Sequence, residues 1–196
     1  MKRIIFATTN EGKMREIRAI MEDSGYEVVS LKEAGVSVEI DENGTTFEEN
    51  AIIKASTIAK ATGEMVLADD SGLEVDYMDK APGVYSARFL GEDTDYVIKN
   101  NYILEKLEGV PKEDRTARFV CVIALAYEDG TCITERATIE GYIGYEIRGE
   151  NGFGYDPIFM VDEYNKTTAE LSMEEKNQIS HRAKALRAIK EQLAKE

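Results

Sequence analysis

The stretch Arg3-Ile4-Ile5-Phe6-Ala7-Thr8-Thr9-Asn10-Glu11-Gly12-Lys13 opens the chain with an apolar run that breaks abruptly into polar residues. Arg3 to Ala7 reads as a short buried strand. Met14, Ile17, Ile20 and Met21 then recur at helical spacing, and the helix they predict ends near Gly25. Tyr26 to Leu31 is a second strand candidate, so the opening is β-α-β. Further along, Thr46-Phe47-Glu48-Glu49 has the form of a capping box ahead of Ala51, Ile52, Ala55, Ile58 and Ala59, one apolar helical face closed at Gly63. A strand follows through Met65-Val66-Leu67, with Leu73 to Val75 resuming extended structure. Pro82-Gly83 marks a turn, and Tyr96, Val97, Asn100, Leu104 and Leu107 predict another helix. Arg118 to Tyr127 and Thr131 to Thr138, separated by Glu128-Asp129-Gly130, form the clearest hairpin. A strand around Gly141 to Arg148 leads into a glycine-rich loop, and helix returns from about Met173 to the C-terminus. Together the β-α-β and hairpin signals predict an α/β protein with a mixed sheet flanked by helices.

Composition bounds what such a protein can do. With 196 residues, 43% hydrophobic content and 3 Pro against 15 Gly, the chain can bury a sizeable core, and no repeat or Pro/Gly/Ser-rich linker divides it. The expectation is one domain over residues 1–196. The formal charge of -14 opposes binding along a polyanion, so neither nucleic acid nor an anionic membrane is expected as a partner. Cys121 and Cys132 are too few for a disulfide framework, and Cys121 sits in an apolar run as a small core side chain. A reducing cytoplasm fits best. The N-terminal apolar run starting at Met1 is broken by Thr8-Thr9-Asn10-Glu11 and does not read as a signal peptide. No segment approaches the ~20 apolar residues needed to cross a bilayer.

Ala68-Asp69-Asp70-Ser71-Gly72 places two adjacent carboxylates after an apolar strand and reads as leading into a tight turn. Successive side chains of a strand face opposite ways, so one carboxylate can enter a cleft while the other supports the turn. Thr8 to Lys13 lies between strand and helix, where backbone N-H groups and the positive helix end can receive phosphate oxygens. It is not a Walker A loop, because Ala7 stands where the first Gly would be and Met14 replaces the magnesium-binding Ser or Thr. Asp41-Glu42-Asn43-Gly44 is a second acidic cluster. Opposite Asp70, one of its carboxylates can complete an oxygen-rich Mg²⁺ site. Lys54 is a candidate phosphate contact. In Gly152-Phe153-Gly154-Tyr155-Asp156-Pro157, glycines flanking an aromatic let backbone approach a ligand while the ring offers a stacking surface. Lys176, the single histidine His181 and Arg182 are donors suited to carbonyl or phosphate acceptors. Spacing shows neither a Ser-His-Asp or Cys-His nucleophile set nor a zinc set.

Taken in order, Ala7 to Asn10 with Gly12-Lys13, Thr46 to Ala51 with Lys54, Ala68 to Leu73, Pro82 to Arg88, Gly152 to Pro157, and Ser180-His181-Arg182 resemble the signature of the Ham1-type inosine triphosphate pyrophosphatases, also called XTP/dITP diphosphatases. The resemblance implies a homodimeric α/β enzyme with a long central sheet and a cleft between two lobes. It implies Mg²⁺-dependent hydrolysis of the purine nucleoside triphosphates ITP, dITP and XTP to the monophosphate and pyrophosphate. Thr8, Thr9, Asn10, Glu11, Gly12 and Lys13 would hold the triphosphate with Lys54, and Asp70 would bind metal and accept a proton from the attacking water. Asp41 and Glu42 match the other metal carboxylate, with Glu42 preferred and the choice left open. Ser71, Phe153, Gly154, Tyr155, Asp156, Lys176, Ser180, His181 and Arg182 match substrate-contact positions, Phe153 stacking on the base. Donors from Arg182, His181 or a backbone N-H near Phe153 would select a 6-carbonyl purine. A Maf-like pyrophosphatase and a nucleotide-binding module without hydrolysis are the alternative readings.

Overall fold

The computed structural model describes residues 2–195. Met1 and Glu196, the ends of the single-domain expectation, lie outside the described residues. The order is β1 (Lys2–Phe6), α1 (Glu11–Met21), β2 (Tyr26–Ser30), α2 (Phe47–Thr62), β3 (Val66–Val75), α3 (Tyr96–Lys106), β4 (Thr116–Ala126), β5 (Cys132–Ile143), β6 (Phe159–Val161), β7 (Lys166–Thr167), α4 (Met173–Ile179) and α5 (His181–Leu193). The strands form one seven-stranded sheet in the order β2-β1-β3-β4-β5-β6-β7. β1 pairs in parallel with β2 (Ile4 opposite Val28) and with β3 (Ile5 opposite Val66), whereas β5-β6 and β6-β7 are antiparallel. The α/β class, the mixed sheet and the flanking helices are therefore as the sequence predicts.

Local chemistry explains the helix boundaries. Asn10 caps α1, its Oδ1 accepting from Lys13 N at 3.1 Å, and satisfies a donor that the first turn would otherwise leave open. The capping box at α2 forms as expected, with Thr46 and Glu49 exchanging side-chain and backbone bonds. Gly63 closes that helix in the left-handed region at φ 67°, which a residue without Cβ adopts at little cost.

Three expectations are corrected. Asp69-Asp70-Ser71-Gly72 is not a turn but the middle of β3, because ladder pairing and burial of Asp69 hold the backbone extended. The strand placed at 141–148 is the end of β5, which stops at Ile143; β6 and β7 are additional short strands. The C-terminal helix is two helices, since Ser180 adopts extended angles (φ -63°, ψ 151°) between α4 and α5.

The described residues gather into two compact units, one of residues 2–71, 121–137 and 181–195, the other of 72–120 and 138–180. The first is centred on Ile4, Phe6, Met14, Ile17, Leu67, Ile123, Leu186 and Ile189. The second is centred on Leu73, Val75, Ile103, Leu107, Phe119, Ile143, Ile158 and Phe159. Cys121 is buried within the first core, as its apolar context predicts. Among the described residues, no helix is long and apolar enough to cross a membrane.

Candidate active site

In the first unit the chain leaves β1 through α1 to β2 on one side, then returns through α2 to β3 on the other. The carboxyl end of β1 and the part of β3 just beyond its pairing with β1 therefore flank a topological switch point, where α/β sheets leave a crevice for ligands. The last paired residues are Phe6 and Leu67, and Ala7 N donates to Leu67 O at 2.8 Å. Beyond that rung β1 passes into Thr8, Thr9 and Asn10, while β3 continues into Asp69 and Asp70. Thr8 Oγ1 accepts from Asn10 N at 3.1 Å, so this loop is shaped by its own hydroxyl and amide. It delivers Glu11, Gly12 and Lys13 to the positive end of α1.

Alternation along β3 gives the two carboxylates opposite environments. Asp69 is 1% exposed and accepts from Lys13 Nζ at 2.9 and 3.1 Å. It also accepts from Ser71 Oγ at 2.9 Å and from the Arg182 guanidinium at 3.4 Å. Burial works to raise its pKa, but the charges of Lys13, Arg182 and Lys54 outweigh burial and hold it well below the usual carboxylate range. Asp69 is thus a fixed anion that anchors cations.

Asp70 is the opposite case. Burial, with the nearby charges of Asp69 and Glu42, pushes its pKa up to about 6 against the pull of Lys54 and a hydrogen bond from Asn50. Its Oδ2 is buried and has no hydrogen-bond partner among the described residues. An orphaned buried carboxylate oxygen is costly and marks a place where a ligand is missing.

Lys54, on α2, spans this group: its Nζ lies 3.1 Å from Glu42 Oε2 and donates to Asp69 O at 3.0 Å. Burial lowers its pKa, but Asp69, Glu42 and Asp70 together raise it above the ordinary lysine value. The loop bearing Glu42 is pinned by Asn50, whose Oδ1 accepts from Gly44 N at 2.8 Å. A Cβ on Gly44 would lie 2.6 Å from that oxygen, so only glycine lets the loop close on α2. Asp41, by contrast, is exposed, with its carboxylate turned to Asn43 Nδ2 at 3.2 Å. The three carboxylates Asp41, Glu42 and Asp70 do not gather as one cluster among the described residues; Glu42 is the one that faces Lys54 and Asp70.

Arg182 and His181 open α5 and are buried. The Arg182 guanidinium is engaged by Glu16 of α1 and by Asp69, and these two anions keep its pKa raised despite burial. In this arrangement it braces Asp69 against Glu16. Glu16 carried no functional signal in the sequence, because a charged residue there fits any solvated helix face, and Asn50, though inside the Thr46 to Ala51 motif, was assigned no role.

The second unit holds the glycine-rich loop. Gly152 and Gly154 have φ 74° and 68°, and a Cβ on Gly152 would lie 2.1 Å from Asp156 Oδ2. That oxygen accepts from Phe153 N at 2.9 Å and from Lys176 Nζ at 2.8 Å, and Thr168 Oγ1 donates to Oδ1 at 2.7 Å. Asp156 is therefore an internal clamp that engages the Phe153 N-H. Lys176 Nζ stands 5.0 Å from the centre of the Phe153 ring, fixing the ring by a cation-π contact. Tyr155 is buried, with its hydroxyl bonded to Ser86 O at 2.7 Å. Ser180 ends α4, its N-H donating to Lys176 O at 2.8 Å. Of this loop, Phe153 is the half-buried side chain suited to stacking.

The Ham1 family model matches residues 4–192. The dITP/XTP pyrophosphatase of Bacillus licheniformis is 54% identical over 189 residues, covering 96% of each chain; that of Bacillus subtilis is 52% identical with the same coverage. The Ham1 protein of Staphylococcus aureus superposes with TM-score 0.88 at 42% identity over 98% of each chain. A HAM1 protein of Coxiella burnetii does so with TM-score 0.90 at 42% identity over the whole of both. With these full-length likenesses added to the paired carboxylates at the switch point, the chain belongs to the Ham1 family.

Proposed function

We propose that this protein hydrolyses ITP, dITP and XTP to the nucleoside monophosphate and pyrophosphate, with Mg²⁺ as cofactor. The observation that carries the reading is Asp70, a carboxylate whose pKa is pushed up to about 6 and whose Oδ2 has no partner among the described residues, in β3 just past its last rung with β1. Around it stand Lys54 and Glu42, with Lys13 held on the neighbouring Asp69. The names of the relatives, dITP/XTP pyrophosphatase, agree with it.

The donor set suits Mg²⁺, which takes one or two carboxylates and completes its shell with water and phosphate oxygens. Asp70 and Glu42 are the residues that would hold it, and Asp41 is not needed. When bound, the ion neutralises charge on the triphosphate and on the departing pyrophosphate. Lys13 adds a full positive charge beside the α1 terminus, where Asp69 keeps it in place, and Lys54 adds a second. In hydrolysis the oxygen of water attacks the α-phosphorus, the bond to the bridging oxygen breaks, and pyrophosphate leaves with that electron pair. Asp70 takes the proton from water; a carboxylate held near 6 is a stronger base than an ordinary aspartate yet stays ionised at neutral pH. Phe153 and its neighbours in the second unit are assigned to the base.

The chain is further proposed to work as a homodimer in the cytoplasm, where its substrates arise. The exposed apolar side chains Tyr77, Tyr85, Leu90, Val97 and Ile98 of the second unit support association with a second copy. Light scattering on the purified protein gives the oligomeric state. Pyrophosphate release measured with Mg²⁺ over ITP, dITP, XTP, ATP and GTP tests the activity. The first three are expected well ahead, and no release from any of them would leave only the non-hydrolytic binding module.

A further inference from the structure

The Pro82 to Arg88 segment and the buried residues of α3 have no part in the chemistry above, yet they hold the loop that carries Phe153. Asn100, 2% exposed, donates from Nδ2 to Gly154 O at 3.1 Å. Its Oδ1 is buried without a partner among the described residues. The Tyr155 hydroxyl donates to Ser86 O at 2.7 Å. Ser86 is itself fixed, its Oγ donating to Gly83 O at 2.6 Å and accepting from Leu73 N at 2.9 Å. Lys99 Nζ donates to the next carbonyl, Ala87 O, at 2.6 Å. It also stands 4.6 Å from the centre of the Tyr96 ring, which meets Tyr155 edge-on at 5.2 Å.

Two adjacent loop residues are thus tied at one backbone carbonyl and one side-chain hydroxyl, and both ties end on buried groups. Gly154, at φ 68°, has no side chain of its own to fix its peptide plane, so the Asn100 amide does it. The Gly154 carbonyl belongs to the Gly154–Tyr155 peptide, so the two ties fix the chain just after Phe153, while Asp156 and Lys176 hold Phe153 itself.

We infer that Asn100 and Tyr155 are positioning residues for base selection: they hold the Gly152-Phe153-Gly154 backbone so that the Phe153 ring is presented to the purine. This rests on the proposed activity, and it reassigns Tyr155 from a substrate contact to a support.

The test uses Tyr155→Phe, which removes only the hydroxyl, and Asn100→Ala, which removes the amide. Hydrogen exchange on the ligand-free protein reads the loop directly; the amides of residues 151–155 are expected to exchange faster in both variants. With substrate, KM for ITP is expected to rise about five-fold per lost hydrogen bond while kcat changes less than about two-fold. The ITP-to-ATP preference should fall, and inhibition by inorganic tripolyphosphate, which has no base, should stay as in the wild type. A lowered melting temperature with unchanged exchange, KM and ITP-to-ATP preference would make these residues ordinary braces and overturn the inference. Wild-type protein without ITP turnover would refute the activity instead, and the exchange measurement would still decide whether the tethers hold the loop.

Discussion

Asp70→Asn should abolish most hydrolysis and, in the metal-free protein, raise stability by an amount that grows with pH. Below 3.8, the ordinary aspartate value, the carboxyl is protonated in both folded and unfolded chains and costs nothing. Between 3.8 and about 6 the unfolded chain gives up the proton while the folded protein retains it, so stability falls as pH rises. Above about 6 the folded protein carries a buried anion and the deficit is constant. The span corresponds to about 1.6 kcal/mol at pH 5 and about 3 kcal/mol at pH 8. The attraction of Lys54 and the hydrogen bond from Asn50 are already inside that figure, since both act to lower the pKa. Asparagine has the same shape and no charge, so it escapes the cost. Urea unfolding with chelator present should show the variant's advantage widening by about 1.4 kcal/mol between pH 5 and pH 8, or about 3 to 6 °C in melting temperature. Turnover of ITP should fall at least about a hundred-fold, the usual loss for a positioned base. An advantage that does not change with pH, or a variant less stable than wild type at pH 8, would refute the account of Asp70 as a strained buried anion.

Lys13→Ala removes one of the two cations bonded to the carboxylate of the buried Asp69. Stability is expected to drop by about 1 to 3 kcal/mol, and triphosphate affinity should fall more than monophosphate affinity in calorimetric titration. Glu42→Gln should raise the Mg²⁺ concentration needed for half-maximal activity by about ten-fold, the scale of a lost metal contact. Asp41→Asn, whose side chain faces Asn43, should leave that midpoint within about two-fold; equal effects would return the choice between them to open. Arg115→Met tests the second unit, where the guanidinium donates to Leu107 O at 2.6 Å, to Ile143 O at 2.7 Å and to Gly144 O. Leaving these buried carbonyls unpaired should cost about 3 to 5 kcal/mol in equilibrium unfolding, with KM for ITP unmoved in the folded fraction.

What the sequence determined by itself is whatever depends on neighbours along the chain. The β-α-β opening, the α2 capping box, the hairpin around Gly130 and the α/β class all follow from periodicities and caps a few residues long. The ordered motifs likewise sufficed to point to the Ham1 family. Register between distant strands carries no such local signal, and that is where the reading failed. Asp-Asp-Ser-Gly has the composition of a turn, but pairing and a buried charge keep it in β3.

The same limit governs the site. Asp69 and Asp70 are adjacent and chemically identical; the family resemblance singled out Asp70, but nothing in their own chemistry or spacing says which is anchor and which is base. The fold separates them by placing Lys13, Ser71 and Arg182 on one and leaving Oδ2 of the other without a partner among the described residues. Residues 13, 16, 69 and 182 lie on three elements and meet because those elements pack. Burial and the sum of charges from several elements set a carboxylate's protonation, and both exist only once the chain is folded.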